Sequence, residues 1–174
     1  MPNQTGIYSK ARDWDYLSTH GDSPTVAALA VAGAANMVAN SATLTRVKAP
    51  RDIAVAKLVW VAGTQSGNYD IGLYDAAGTK LWSKGSTASP ASGTIVETFT
   101  AVNIPKGAVF YVAIAADNAT ATFRGVTLSS AEHTKSLTGI PATTTVGSSF
   151  PLPSTITPGT TTVLRIPTVV IREA

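Results

Sequence analysis

Residues 53–84, IAVAKLVWVAGTQSGNYDIGLYDAAGTKLWSK, decide how the chain folds. The first ten, IAVAKLVWVA, form a nearly continuous apolar run of Val, Ile and Ala, the pattern of a central strand buried on both faces. GTQSGN then supplies a turn. YDIGLYD alternates cleanly, with Tyr69, Ile71 and Leu73 on one face and Asp70, Gly72 and Tyr74 on the other, which is the two-residue period of a strand. AAG at 76–78 is predicted as a hairpin loop in which Gly78 takes positive φ, and KLWSK at 80–84 returns as the partner strand.

The flanking sequence continues the same punctuation. Residues 42–47 are a shorter apolar run. VAALAVAGAANMVAN at 26–40 is the one stretch where an Ala-rich helix competes with a strand, since Ala favours the helix and Gly33 interrupts it. Downstream, GSTASPASG is loop, residues 94–100 are a strand, and Ile104-Pro105-Lys106-Gly107 is a turn with Pro second and Gly fourth. AVFYVAIAA at 108–116 is apolar on both faces, as in the middle of a sheet covered on each side. ADNAT turns the chain into a short strand at 120–124. Thr, Ser, Pro and Gly dominate residues 129–162, where the prolines of FPLPSTITPG exclude a central strand. A last run, 163–172, puts Leu164, Ile166 and Val170 on one face, with Pro167 making it an edge or interrupted strand. These are about eight strands without a helical layer, so the expected fold is all-β: an antiparallel β-sandwich, jelly-roll or Greek-key like. Residues 26–174 form its single domain, and residues 1–25, with neither period, form an extended N-terminal arm.

Composition narrows the chemistry. The 174 residues are 44% hydrophobic and 13% charged and include no cysteine, so disulfides and thiolate chemistry are unavailable. Thirteen Lys and Arg against ten Asp and Glu leave a net charge of +3. That excess is scattered: strand alternation would divide Arg46, Lys48, Arg51 and Lys57 between faces, and no nucleic-acid partner is expected. The longest apolar stretch, residues 26–35, covers about half of the roughly 20 residues a bilayer-crossing helix needs. Asp13, Asp15 and Asp22 precede it where a signal peptide would be basic, so the chain is expected to begin at its own Met1 and to enter no membrane.

No reactive centre is expected. The two histidines, His20 and His133, lie in polar segments with no G-x-S-x-G nearby, zinc lacks its ligands, and no Gly-rich loop leads into a helix to cradle phosphate. Asp70, Asp75, Glu97 and Asp117 could in principle pair for sugar hydrolysis, and Asn68, Asp70, Asp75, Asp117 and Asn118 offer oxygens for calcium. In a Thr/Ser-rich β protein such residues more often satisfy turn amides, and that reading is adopted, with no catalytic, cofactor or metal residue assigned. Trp60, inside the continuous apolar run, is assigned to the core. Tyr74 and Trp82, beside polar neighbours, are candidates for carbohydrate or subunit contact. Tyr8, Trp14 and Tyr16 with the charged pair Arg12 and Asp13 are candidates for docking the arm on a partner.

Three stretches carry a family likeness: VAGTQSGNYDIGLYDAAGTKLWSKGSTASP, VNIPKGAVFYVAIAADNATATFRG and FPLPSTITPG. Over approximately residues 38–174 the chain resembles β-sandwich modules of tailed-bacteriophage virion proteins, which occur in minor tail, fibre and capsid-surface proteins. The resemblance implies a structural or adhesive role on the particle and supplies no active site. Fibre proteins usually carry long shafts, whereas this chain has only a short arm, so the expectation is a capsid decoration, cement or adaptor protein. It would sit on the virion surface after assembly in the bacterial cytoplasm. Its partners would be major capsid or tail proteins and further copies of itself, a trimer being one form. The alternative is a tail-fibre or tail-tip adhesin that binds host surface carbohydrate through Tyr74 and Trp82.

Overall fold

The computed structural model describes residues 16–18, 33–127, 143–147, 149–158 and 165–173. The strands in chain order are β1 (Tyr16–Ser18), β2 (Gly33–Asn36), β3 (Ser41–Lys48), β4 (Ile53–Ala62), β5 (Asn68–Asp75), β6 (Lys80–Ser83), β7 (Thr87–Ala88), β8 (Gly93–Ile104), β9 (Val109–Ala116), β10 (Thr122–Thr127), β11 (Thr143–Val146), β12 (Arg165–Pro167) and β13 (Val169–Glu173). There is no helix among the described residues.

The strands make two antiparallel sheets packed face to face. In the first, β4 is central, with β8 on one side and β13 on the other, and β1 lies outside β13. β10 meets the end of β4 at Phe123 and Ala62 and pairs with β2 and β12. In the second sheet β9 is central between β3 and β5, with β11 outside β3 and both β6 and β7 on β5. Successive strands lie in different sheets at β2 to β3, β3 to β4, β4 to β5, β7 to β8, β8 to β9, β9 to β10, β10 to β11 and β11 to β12. Sequence neighbours are therefore mostly not sheet neighbours, a Greek-key style of crossing rather than a meander.

Side-chain alternation explains the layers. Tyr69, Ile71 and Leu73 of β5 face inward and join Leu58 and Trp60 of β4, Val112 and Ile114 of β9 and Phe123 of β10 in the main core. The opposite face of β5 is not solvated. Residues 149–158 run across the outside of the second sheet and seat Leu152 and Ile156 on Ala42, Leu44, Tyr74, Ala113 and Ala115. The sheet is thus covered on both sides, which is why β9 is apolar on both faces as expected. Gly72 makes room for this cover, because a Cβ there would press on the Trp82 carbonyl, Ser83 and Leu152.

Several boundaries move. The strand expected at 94–100 extends to Ile104 through an irregularity opposite Val55 and Lys57. The Pro-Lys-Gly turn is shifted by one residue: Ala108 N–H donates to Pro105 O at 3.0 Å, and Gly107 at φ +78° occupies the third position, as a type II turn requires. In 26–40, described from Gly33 onward, residues 33–36 form a strand and no helix. The Thr-rich stretch 129–162, to which no strand is assigned from sequence, contributes β11, and the last run is interrupted at Thr168 between β12 and β13. Residues 16–18, assigned to the extended N-terminal arm, pair with β13 of the same chain.

Candidate functional site

All six carboxylates among the described residues accept hydrogen bonds from the chain itself. Asp75 closes the hairpin after β5, accepting from Ala77 N–H at 2.9 Å and Thr79 N–H at 2.8 Å. Asp52 accepts from Lys106 N–H at 2.7 Å. Asp117 accepts from Asn68 N–H at 3.0 Å and from the Asn118 side-chain amide at 2.6 Å. The Asn118 contact, reinforced by Asn68, holds the Asp117 carboxyl below the usual range. Asn118 Oδ1 in turn accepts from Thr120 and Ala121 N–H, each at 2.9 Å. Glu173 receives a forked pair from Arg51 at 2.9 and 2.6 Å, which lowers its pKa.

The remaining two carboxylates are sealed. Asp70, 0% exposed, accepts from Gly85 N–H at 2.9 Å and Leu152 N–H at 3.0 Å. Burial dominates over those amides and raises its pKa. Glu97, 4% exposed, projects from β8 into the space between the sheets. There it accepts from the Tyr69 hydroxyl on β5 and pairs with Lys84 Nζ at 3.0 Å. Burial, then the bond to Glu97, pushes the Tyr69 phenol upward.

Glu97 lies beneath the flank where β6 and β8 are the facing edge strands. Trp82 of β6 stacks on Phe99 of β8 with ring centroids 3.9 Å apart and planes 15° apart. The pair closes the side of the main core, and both rings are partly buried. This flank is the candidate contact surface: an aromatic lid over a Lys84–Glu97–Tyr69 chain of polar contacts.

The sequence candidates separate on this geometry. Tyr74 is corrected: it is 0% exposed, its ring packs under residues 149–158, and its hydroxyl donates to Pro153 O at 2.7 Å, so no face is left for a sugar or a partner. Trp82 stays at the surface, but one of its faces is occupied by Phe99. Trp60 is core, tilted against Tyr69 at 5.1 Å. Tyr16 is placed by the backbone of β1, opposite Arg172; Tyr8, Arg12, Asp13 and Trp14 lie outside the described residues. Of the oxygens weighed for calcium, those of Asp70, Asp75, Asp117 and Asn118 accept hydrogen bonds from the chain's own amides, and no group of three or more His, Asp or Glu that could hold a metal stands among the described residues. The sequence reading missed Glu97 and Lys84 as a pair. The available signal was Glu97 on the apolar face of its strand, between Ile95 and Phe99.

No family model matches the chain, and a search of curated proteins finds no relative.

Proposed function

We propose that the chain is a non-enzymatic structural protein of a tailed-bacteriophage particle, a capsid decoration, cement or adaptor protein that sits on the virion surface and docks on neighbouring subunits through its N-terminal segment. The observation that carries this reading is the use of the ionisable groups: each of the six described carboxylates is bound to the chain's own amides or side chains. Such bonds stiffen loops and fasten the two sheets together, which suits a body that bears load. The sheet cover at 149–158 adds to that stiffness by burying both faces of the second sheet.

In this reading the body is a rigid block and the chain ahead of β1 is the fastener, leaving from the margin of the first sheet. Ordering an extended segment costs about 1–2 kcal/mol per residue in backbone entropy, so Tyr8, Trp14 and Arg12 would have to supply the compensating contacts on the partner. Partners are major capsid or tail proteins and other copies of the chain, in a homo-oligomer such as a trimer.

Deletion of residues 1–15, which spares β1, tests the reading. Incorporation into particles should be lost while the truncated protein keeps the urea midpoint of the full chain. Unchanged occupancy on particles would reject the anchoring role.

A further inference from the structure

Away from the aromatic flank, one end of the sandwich carries a depression of about 450 Å³ lined by Gly63, Thr64, Gln65, Ser92, Thr122 and Arg124. Three segments converge on it: the turn after β4, the turn before β8, and β10. Its floor is fixed by the backbone. Gly63 N–H donates to Thr122 O at 2.8 Å, Thr122 N–H donates to Thr64 O at 3.2 Å, and Thr64 N–H donates to Thr122 Oγ1. A Cβ at Gly63 would run into the Thr122 side chain, so glycine at this position lets the turn lie directly on the strand. The rest of the turn is tied down by Asn118 Nδ2 donating to Ser66 O at 3.0 Å and by Ser89 N–H donating to Gly67 O at 2.8 Å.

Arg124 supplies the only charge among the described residues that line this depression. It alternates with Phe123, which is in the main core, so it shares the outer face of β10 with Thr122. It is half-buried. None of the six described carboxylates is paired with it. A guanidinium with its fork of donors matches a carboxylate or phosphate. Around it stand the hydroxyls of Thr64 and Ser92 and the amide of Gln65, groups that can exchange hydrogen bonds with sugar hydroxyls. No aromatic is among the described residues lining the site, so they offer no stacking, the usual source of affinity for a neutral sugar. The volume falls in the range of small-molecule sites.

We propose that this depression binds an acidic saccharide unit, with Arg124 gripping the acid group and Thr64, Gln65 and Ser92 reading the hydroxyls. The inference goes beyond the structural role and holds whichever particle position the chain takes. The acid could be the carboxylate of a uronic acid or a sugar phosphate, and the test separates the two.

The full-length protein is titrated with D-glucuronate, D-glucose 6-phosphate and D-glucose while backbone amide shifts are followed by NMR. At least one acid should bind in the millimolar range, as expected for a single small ligand in an open site, and the shifts should centre on residues 63–65, 92 and 122–124. Arg124→Gln should weaken that binding by about tenfold or more, and Arg124→Lys, which keeps the charge without the fork, should weaken it less. Stronger binding of glucuronate assigns the site to carboxylate, and stronger binding of the phosphate assigns it to phosphate. The proposal is overturned if neither acid shifts these amides, if glucose binds as well as the acids, or if Arg124→Gln binds as tightly as the parent while retaining the parent's amide spectrum.

Discussion

Asp70 and Glu97 are both enclosed, yet they stabilise the protein through different partners. Glu97 joins the sheets: it takes the Tyr69 hydroxyl from β5 and the Lys84 ammonium from the end of β6. Glu97→Ala would strand a buried phenol and leave a void, a loss of about 2–4 kcal/mol in urea unfolding. Lys84→Ala should cost about 1 kcal/mol or less, since the Lys84 side chain is 40% exposed at its own end of the pair and is screened there. Equal losses in the two variants would contradict this assignment. Acid titration should separate the carboxylates by sign. Asp117 and Glu173 have lowered pKa values, so their contribution is present above the ordinary carboxylate pKa of about 4 and is lost as pH falls through their folded values. Asp70 is raised, so the folded state takes up its proton first and stability rises as pH falls through that folded value. The Asp117→Asn, Glu173→Gln double variant should therefore show a shallower loss of unfolding free energy below about pH 4 than the parent; an unchanged slope would remove those two groups from the account. Asp75 and Asn118 were legible as turn caps because their amide partners lie within four residues. Burial of Asp70 was not, because the amide it accepts from Leu152 is 82 positions away.

The elements divide in the same way between near and distant causes. β4 occupies residues 53–62, the limits of the apolar run that predicts it, because a strand covered on both faces is written as continuous Val, Ile and Leu. β11 carries no legible strand pattern, since its four residues of Thr and Val gain their place only by pairing with β3. The hairpin after β5 was legible through Gly78, which adopts φ +83° as expected. What the local sequence could not reveal is that Ile156 lies against it, with its N–H donating to Gly78 O at 2.8 Å and its carbonyl where a Cβ would go. Gly78→Ala should then cost more than the roughly 1–2 kcal/mol of a left-handed Ala. Gly107→Ala, at φ +78° in open space, should cost only that much. Thermal or urea midpoints of the two variants check the difference. Trp82 belongs to the same comparison. Because it stacks on Phe99 and seals the flank, Trp82→Ala should lose about 2–3 kcal/mol, somewhat less than a fully buried Trp. A Trp82→Ala protein of parental stability would mean that the ring serves a partner rather than the core.

For the whole molecule, the sandwich class was readable from strand punctuation alone, whereas the pairing of strands was not. Strand order depends on which edges meet after the chain has crossed between sheets, and nothing in residues 41–48 or 109–116 names the other as its neighbour. The candidate flank was half legible for the same reason: Trp82 stood out, but Phe99, Lys84 and Glu97 gather beside it only through the facing of β6 and β8. The Arg124 depression was hidden further still, since its lining comes from three turns and strands separated by more than twenty residues each. At this scale the β1–β13 pairing has a mechanical meaning. A tug on the chain ahead of Tyr16 is delivered first to the short ladder Tyr16–Arg172, Leu17–Ile171 and Ser18–Val170 at a sheet margin. Under the proposed anchoring role, a joint of three residue pairs is the part that would give way before β4, β9 and their neighbours, a fuse that spends overload in a few replaceable backbone bonds and leaves the body behind it whole.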